Sequence, residues 1–184
     1  MEKSKLLDEL VKMTKNHKDE AHQFLALSDK GLNYKLDSET WSILECFEHL
    51  NRYGRFYIPE INQRIEANTK PNSDIFNTGI LGDYFAKSML PGEKMKKIKT
   101  FKSMNPNQSN LDRSTIDEFI EQQDALLTIL EKAKKLNLTK IRTSISISSW
   151  IKLRLGDTLR VVIYHNWRHL EQARENMNQL QVTN

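Results

Sequence analysis

Tyr164-His165-Asn166-Trp167-Arg168-His169-Leu170-Glu171-Gln172 sets two histidines four residues apart in a strongly helical stretch near the C-terminal end. Residues i and i+4 of a helix project from one face, a turn apart, so both imidazoles can meet one transition-metal ion. A pair does not close a site, because zinc-like ions take three or four protein ligands. The chain has five histidines, which leaves His17, His22 and His49 as candidates for a third. His49, in Glu45-Cys46-Phe47-Glu48-His49-Leu50, is the preferred one. The expectation is a fold that brings His49 against His165 and His169. His17 lies on an apolar stripe and reads as structural, and His22 reads as exposed, yet spacing alone allows either to replace His49. A helical zinc protease needs a glutamate after its first histidine as general base. Asn166 stands there, so that class is excluded.

The neighbours of the proposed ligands have two readings each. Cys46 precedes His49 by three residues and could offer a thiolate, but a small buried hydrophobe is the simpler reading. Glu45 is the fourth residue of Ser42-Ile43-Leu44-Glu45, a capping-box match, and it could also orient an imidazole. Arg52, Tyr53 and Arg168 lie a turn or less from proposed ligands. They are candidates for orienting an anionic substrate, against the ordinary reading as surface or packing residues.

Working outward, helical periodicity marks four long segments. Residues 4–28 carry Leu6, Leu10, Met13, His17, Ala21 and Phe24 on one face, with Gly31 and Asn33 as the break. The second runs from Ser42 to about Ala67 on Leu44, Phe47, Asn51, Gly54, Ile58, Ile61 and Ile65, with Pro59 inside it. The third starts near Ser114-Thr115-Ile116-Asp117, read as another capping box, and ends around Asn137 on Ile116, Phe119, Ile120, Gln123, Leu126, Leu127, Leu130 and Ala133. The last spans residues 155–180 through Leu155, Leu159, Val162, Ile163, Asn166, Leu170, Ala173 and Met177. A structureless connection over residues 68–112 would be too long for a compact domain, so Ile80–Met89 is expected to form a short helix within it. Residues 142–148 alternate polar and apolar, as a short extended segment does, but one strand makes no sheet. The sum is an all-α four-helix bundle, one domain over residues 1–184, with a long crossover between the second and third helices that allows them to run parallel.

Composition narrows the function classes. The 184 residues are 38% hydrophobic and 28% charged, ordinary for a globular protein large enough to bury a core. No apolar run approaches the ~20 residues that span a bilayer. The first residues read as a polar helix rather than a signal peptide, and a single cysteine excludes an internal disulfide framework. These point to a cytoplasmic protein without a membrane partner. A net charge of +4 and a pI near 9.1 are weak signs of nucleic-acid binding. The one dense basic run, Lys94, Lys96, Lys97, Lys99 and Lys102, reads as a solvated loop.

Trp41-Ser42-Ile43-Leu44-Glu45-Cys46-Phe47-Glu48-His49-Leu50 resembles the opening of helix two in the DinB/YfiT-like superfamily. Leu155-Gly156-Asp157-Thr158-Leu159, followed by His165-x-x-x-His169-x-x-Gln172, resembles that family's final helix. The resemblance runs in order from about Leu6 to Leu180 and is strongest in these two segments. It implies an up-down-down-up four-helix bundle, homodimeric, with zinc or nickel held by three histidines, which map onto His49, His165 and His169. It also implies a small-molecule substrate, with thiol S-transfer using a bacillithiol-type low-molecular-weight thiol, or hydrolysis, as the reaction. A non-catalytic metal-binding or stress-response module is the other role found in such a family. Cys46 and Asn166 depart from its motif.

Overall fold

Ser42 begins the helix that organises the chain. Its extended backbone and free hydroxyl let Oγ accept from the Glu45 N–H, while the Glu45 carboxylate accepts from the Ser42 N–H. This reciprocal capping box satisfies two donors that a helix end otherwise leaves open. In the computed structural model, which describes residues 1–38, 40–92, 100–107 and 109–183, that helix is one of six. They are α1 (Lys3–Phe24), α2 (Asp29–Leu32), α3 (Ile43–Glu66), α4 (Ile80–Met89), α5 (Ser114–Ala133) and α6 (Leu155–Thr183). A two-stranded antiparallel hairpin, β1 (Arg142–Ile145) and β2 (Ser148–Arg154), precedes α6. Among the described residues no helix is long and apolar enough to cross a membrane.

The long helices pack through the faces that periodicity marked, and cross-links fix which ends meet. Between α1 and α5, Lys3 Nζ donates to Lys134 O, Lys18 pairs with Asp124, and Arg113 donates to Leu25 O. Between α1 and α6, Tyr164 donates to Glu9 and Arg174 pairs with Glu20. On α3, Asn51 donates to Thr115 O and Arg55 pairs with Glu118, while Asn176 of α6 donates to Trp41 O. Phe47 sits edge-on between Phe24 and Phe119, at 5.5 and 5.1 Å between ring centres. Fully burying each such ring contributes about 1.5–3 kcal/mol.

Several expectations are corrected. Residues 142–148 do not stand alone: Arg142 faces Arg154, Thr143 faces Leu153 and Ser144 faces Lys152, with a bulge before Ile145. The hairpin docks on α3, where Glu60 accepts from the Ser144 N–H at 2.7 Å. Ser114 is no capping residue. Asp112 accepts from both its N–H and its hydroxyl, so the cap lies upstream. Gly31 lies within α2 rather than ending a helix, because Ser28 caps a second short turn there. Helix α1 stops at Phe24 and α5 at Ala133, each a few residues early. The short helix at Ile80–Met89 is present with those bounds. Of the basic run, only Lys102 falls among the described residues, on a single 3-10 turn (Lys102–Met104).

Strand β2 passes directly into α6, and the junction explains Leu155-Gly156-Asp157-Thr158-Leu159. The N–H groups of Leu155 and Gly156 donate to Ile141 O and Leu138 O, in place of a side-chain cap. A Cβ on Gly156 would come within 2.5 Å of the Phe76 ring, so the close approach requires glycine. Asp157, fully buried, accepts from the Thr78 hydroxyl, the Gly79 N–H and Arg160, and Arg160 also pairs with Asp83 of α4. The start of α6 is thereby tied to α4.

Candidate metal centre

Helix α3 presents His49, and α6 presents His165 and His169 one turn apart, toward the same point. One ring nitrogen of each lies within 4.8 Å of the others. The ring centres are 5.0, 4.5 and 4.7 Å apart for the pairs 49/165, 49/169 and 165/169. The Nε2 atoms of His49 and His165 are 3.2 Å apart. Two nitrogens bound to one tetrahedral zinc at 2.0–2.1 Å would sit about 3.3 Å apart.

Hydrogen bonds fix two of the rings. His49 Nδ1 donates to the Met104 carbonyl at 2.7 Å, and His169 Nδ1 donates to Gln172 Oε1 at 2.9 Å. A carbonyl oxygen only accepts, so each Nδ1 carries the hydrogen and each Nε2 keeps its lone pair. Burial lowers the His49 pKa to about 4, with Arg52 pushing the same way and the Met104 bond opposing. Burial likewise takes His165 and His169 well below the usual imidazole value, reinforced by the other histidines and by Arg168. Three imidazoles held neutral by burial, two of them with Nε2 as the acceptor, lie at a separation that fits a divalent cation.

The surroundings sort the other candidates. Tyr53 lies edge-on to both His49 and His165, at 5.0 and 4.6 Å. Burial, then Tyr57, pushes its phenol up to about 12, so it is a proton donor at neutral pH. Trp41 covers the opposite side, 4.7 Å from His49 and 5.7 Å from His169. Arg168 is half-buried, close enough to act electrostatically on His165 and His169.

Glu45 is not placed as an orienting group. Its carboxylate is engaged by the Ser42 N–H and by Lys35, 2.9 Å away. Arg52 is likewise not free to hold a substrate: it bonds Glu48, the carbonyls of Ser103 and Asn105, and Ser109 Oγ. Cys46 is buried, and desolvation raises its thiol far above neutrality, so the hydrophobic reading stands. His17 is buried in the core with an unpartnered Nδ1, and His22 is exposed, and neither joins the cluster. Met104 and Trp41 are the neighbours that spacing did not assign. Gln172 was accessible, since it follows His169 by three residues and so shares its face.

A family model described as the DinB superfamily matches residues 13–173. No curated protein and no solved structure matches the chain.

Proposed function

The chain belongs to the DinB superfamily, and on that premise we propose that His49, His165 and His169 hold a divalent cation, zinc or nickel, at the centre of a small-molecule enzyme. The observation that carries this reading is the convergence of three neutral imidazoles, two of them with the hydrogen on Nδ1 and so with Nε2 as the acceptor. When bound, the cation would supply Lewis acidity, lowering the pKa of a water or thiol in the coordination position that three protein ligands leave open. The chain's own residues do the rest. The Met104 carbonyl and Gln172 hold His49 and His169 in one tautomer and orientation. Trp41 and Tyr53 wall the histidines with aromatic surface, which keeps water away and suits an apolar substrate body. The Tyr53 hydroxyl can donate to, and the Arg168 guanidinium can attract, an anionic group on that substrate.

Within that reading, the reaction is transfer of a low-molecular-weight thiol of the bacillithiol type to an electrophilic carbon, with hydrolysis as the neighbouring class. The helices form an up-down-down-up bundle. The antiparallel bonds of α1 with α5, and the meeting of Glu9 with Tyr164 and Glu20 with Arg174, support that order. A cytoplasmic homodimer completes the proposal.

The test begins with metal analysis of protein expressed in metal-replete medium. A single divalent ion per chain is expected, lost in His49→Ala and His165→Ala, and a metal-free parent overturns the reading. Loaded protein should then consume a bimane electrophile only with a low-molecular-weight thiol present. A loaded protein inert toward thiol transfer and ester hydrolysis would make it a binding module instead.

A further inference from the structure

The imidazole of His49 depends on a carbonyl that no regular element supplies. Met104 belongs to the connection of residues 90–113 between α4 and α5, and its oxygen accepts the His49 Nδ1 hydrogen. Among the described residues of that connection the chain makes a 3-10 turn at Lys102–Met104, closed by Met104 N–H to Phe101 O. The turn is tied down from α3 by Arg52, which grips both sides of Met104. Its Nη1 donates to Asn105 O at 2.7 Å and more weakly to Ser103 O at 3.4 Å, and its Nη2 donates to Ser109 Oγ at 3.1 Å. Glu48, one turn back on the same helix, accepts from Nε at 2.8 Å and fixes the guanidinium plane. A planar fork with five donors can span several acceptors in this way, and a lysine ammonium cannot reproduce its geometry.

We propose that Arg52 is a positioning residue: by clamping the Ser103–Asn105 turn it holds the Met104 carbonyl where it fixes His49 with the hydrogen on Nδ1 and the lone pair of Nε2 turned toward His165. Besides its electrostatic effect on His49, Arg52 thus acts on the histidine cluster through a backbone atom of the loop, without a hydrogen bond to the cluster itself. The consequence for binding rests on the metal reading above, whereas the consequence for the tautomer does not. Loss of an outer partner of a ligating histidine typically weakens metal binding by about 10- to 100-fold.

The experiment measures zinc affinity by chelator competition, and the His49 tautomer in the metal-free protein by long-range proton–nitrogen correlation spectra. Arg52→Met should weaken zinc binding by about 10- to 100-fold and replace the single Nδ1–H form of His49 with a mixture. Arg52→Lys keeps the charge and should recover only part of the affinity. Arg55→Met is the control, because Arg55 also pairs with Glu48 but reaches Glu118 rather than the turn. The proposal is overturned if Arg52→Met retains both the parent affinity and the single tautomer, or if Arg55→Met weakens zinc equally. Should Arg52→Met fail to fold, Arg52→Lys decides: full affinity with one tautomer refutes the clamp. Should the parent bind no zinc, the metal reading fails by itself and the tautomer readout still decides the role of Arg52.

Discussion

Helix α6 carries two buried polar clusters within fifteen residues of each other, and they are opposite in kind. At its start, Asp157 is answered by the Thr78 hydroxyl, the Gly79 N–H and Arg160, and Arg160 is answered again by Asp83. Donors meet acceptors, and positive charge meets negative. Two turns on, His49, His165 and His169 bring three ring nitrogens within 4.8 Å of one another, held neutral by burial and without a carboxylate among them. The first cluster is complete within the chain and reads as structure, whereas the second gathers the kind of nitrogen ligands that a cation site needs. Burial alone does not separate the two; the kind of group that each gathers does.

The comparison breaks most sharply at Asp157. Removing one partner of a buried ion pair leaves the other uncompensated, so Asp157→Ala should cost the metal-free protein about 3–5 kcal/mol in chemical denaturation. Zinc affinity of the fraction that stays folded should change little. A loss below that of an ordinary surface substitution would mean the cluster is not the tie described above.

Acid should act on the imidazoles. Burial holds His17 neutral down to a pKa of about 4, while an unfolded imidazole takes up its proton near 6.5. Between those values the unfolded state binds the proton and the folded state does not. Stability present above pH 6.5 is therefore lost as pH falls, at about 1.4 kcal/mol per unit, and levels off below the folded pKa. His17 accounts for about 3 kcal/mol of this, and its contribution should vanish in His17→Gln, read from melts across pH 4–7. A parent whose stability is flat over that interval would contradict the burial of His17.

The smallest expected effect is at the capping box. Ser42→Ala removes the acceptor for the Glu45 N–H and should lower stability by about 1 kcal/mol, measured by thermal unfolding. Because His49 lies well past the cap, zinc affinity should be retained. A large loss of affinity there would tie the cluster to the helix end rather than to the Arg52 clamp.

Much of the architecture was readable before any coordinates. The stripes on α1, α3, α5 and α6 fall mostly on buried positions, because helix burial is periodic and side chains record it, although Met13, Ile58, Ile65, Leu127 and Met177 are only half-buried and the buried Ile129 was not on the α5 stripe. His49, His165 and His169 were readable for the same reason: they are few, and two share a helical face. The hairpin was not, since β2 exposes Trp150 almost fully and a bulge interrupts the register, which erases the period of two. Ser114 misled because its hydroxyl and N–H are turned back to Asp112, and the helix opens at Arg113 without a side-chain cap. The role of Arg52 was hidden for a deeper reason. Two of its partners are backbone carbonyls, which every residue has and no side-chain pattern announces.

The seamless passage of β2 into α6 leaves no slack between sheet and helix. A residue inserted at the Arg154–Leu155 boundary would turn everything beyond it by about 100° about the helix axis. His165 and His169 would then swing away from His49 together, although neither they nor their neighbours had been altered. The length of that junction is thus as much a part of the histidine constellation as the histidines are, while the Ser146–Ile147 tip of the hairpin lies outside this constraint.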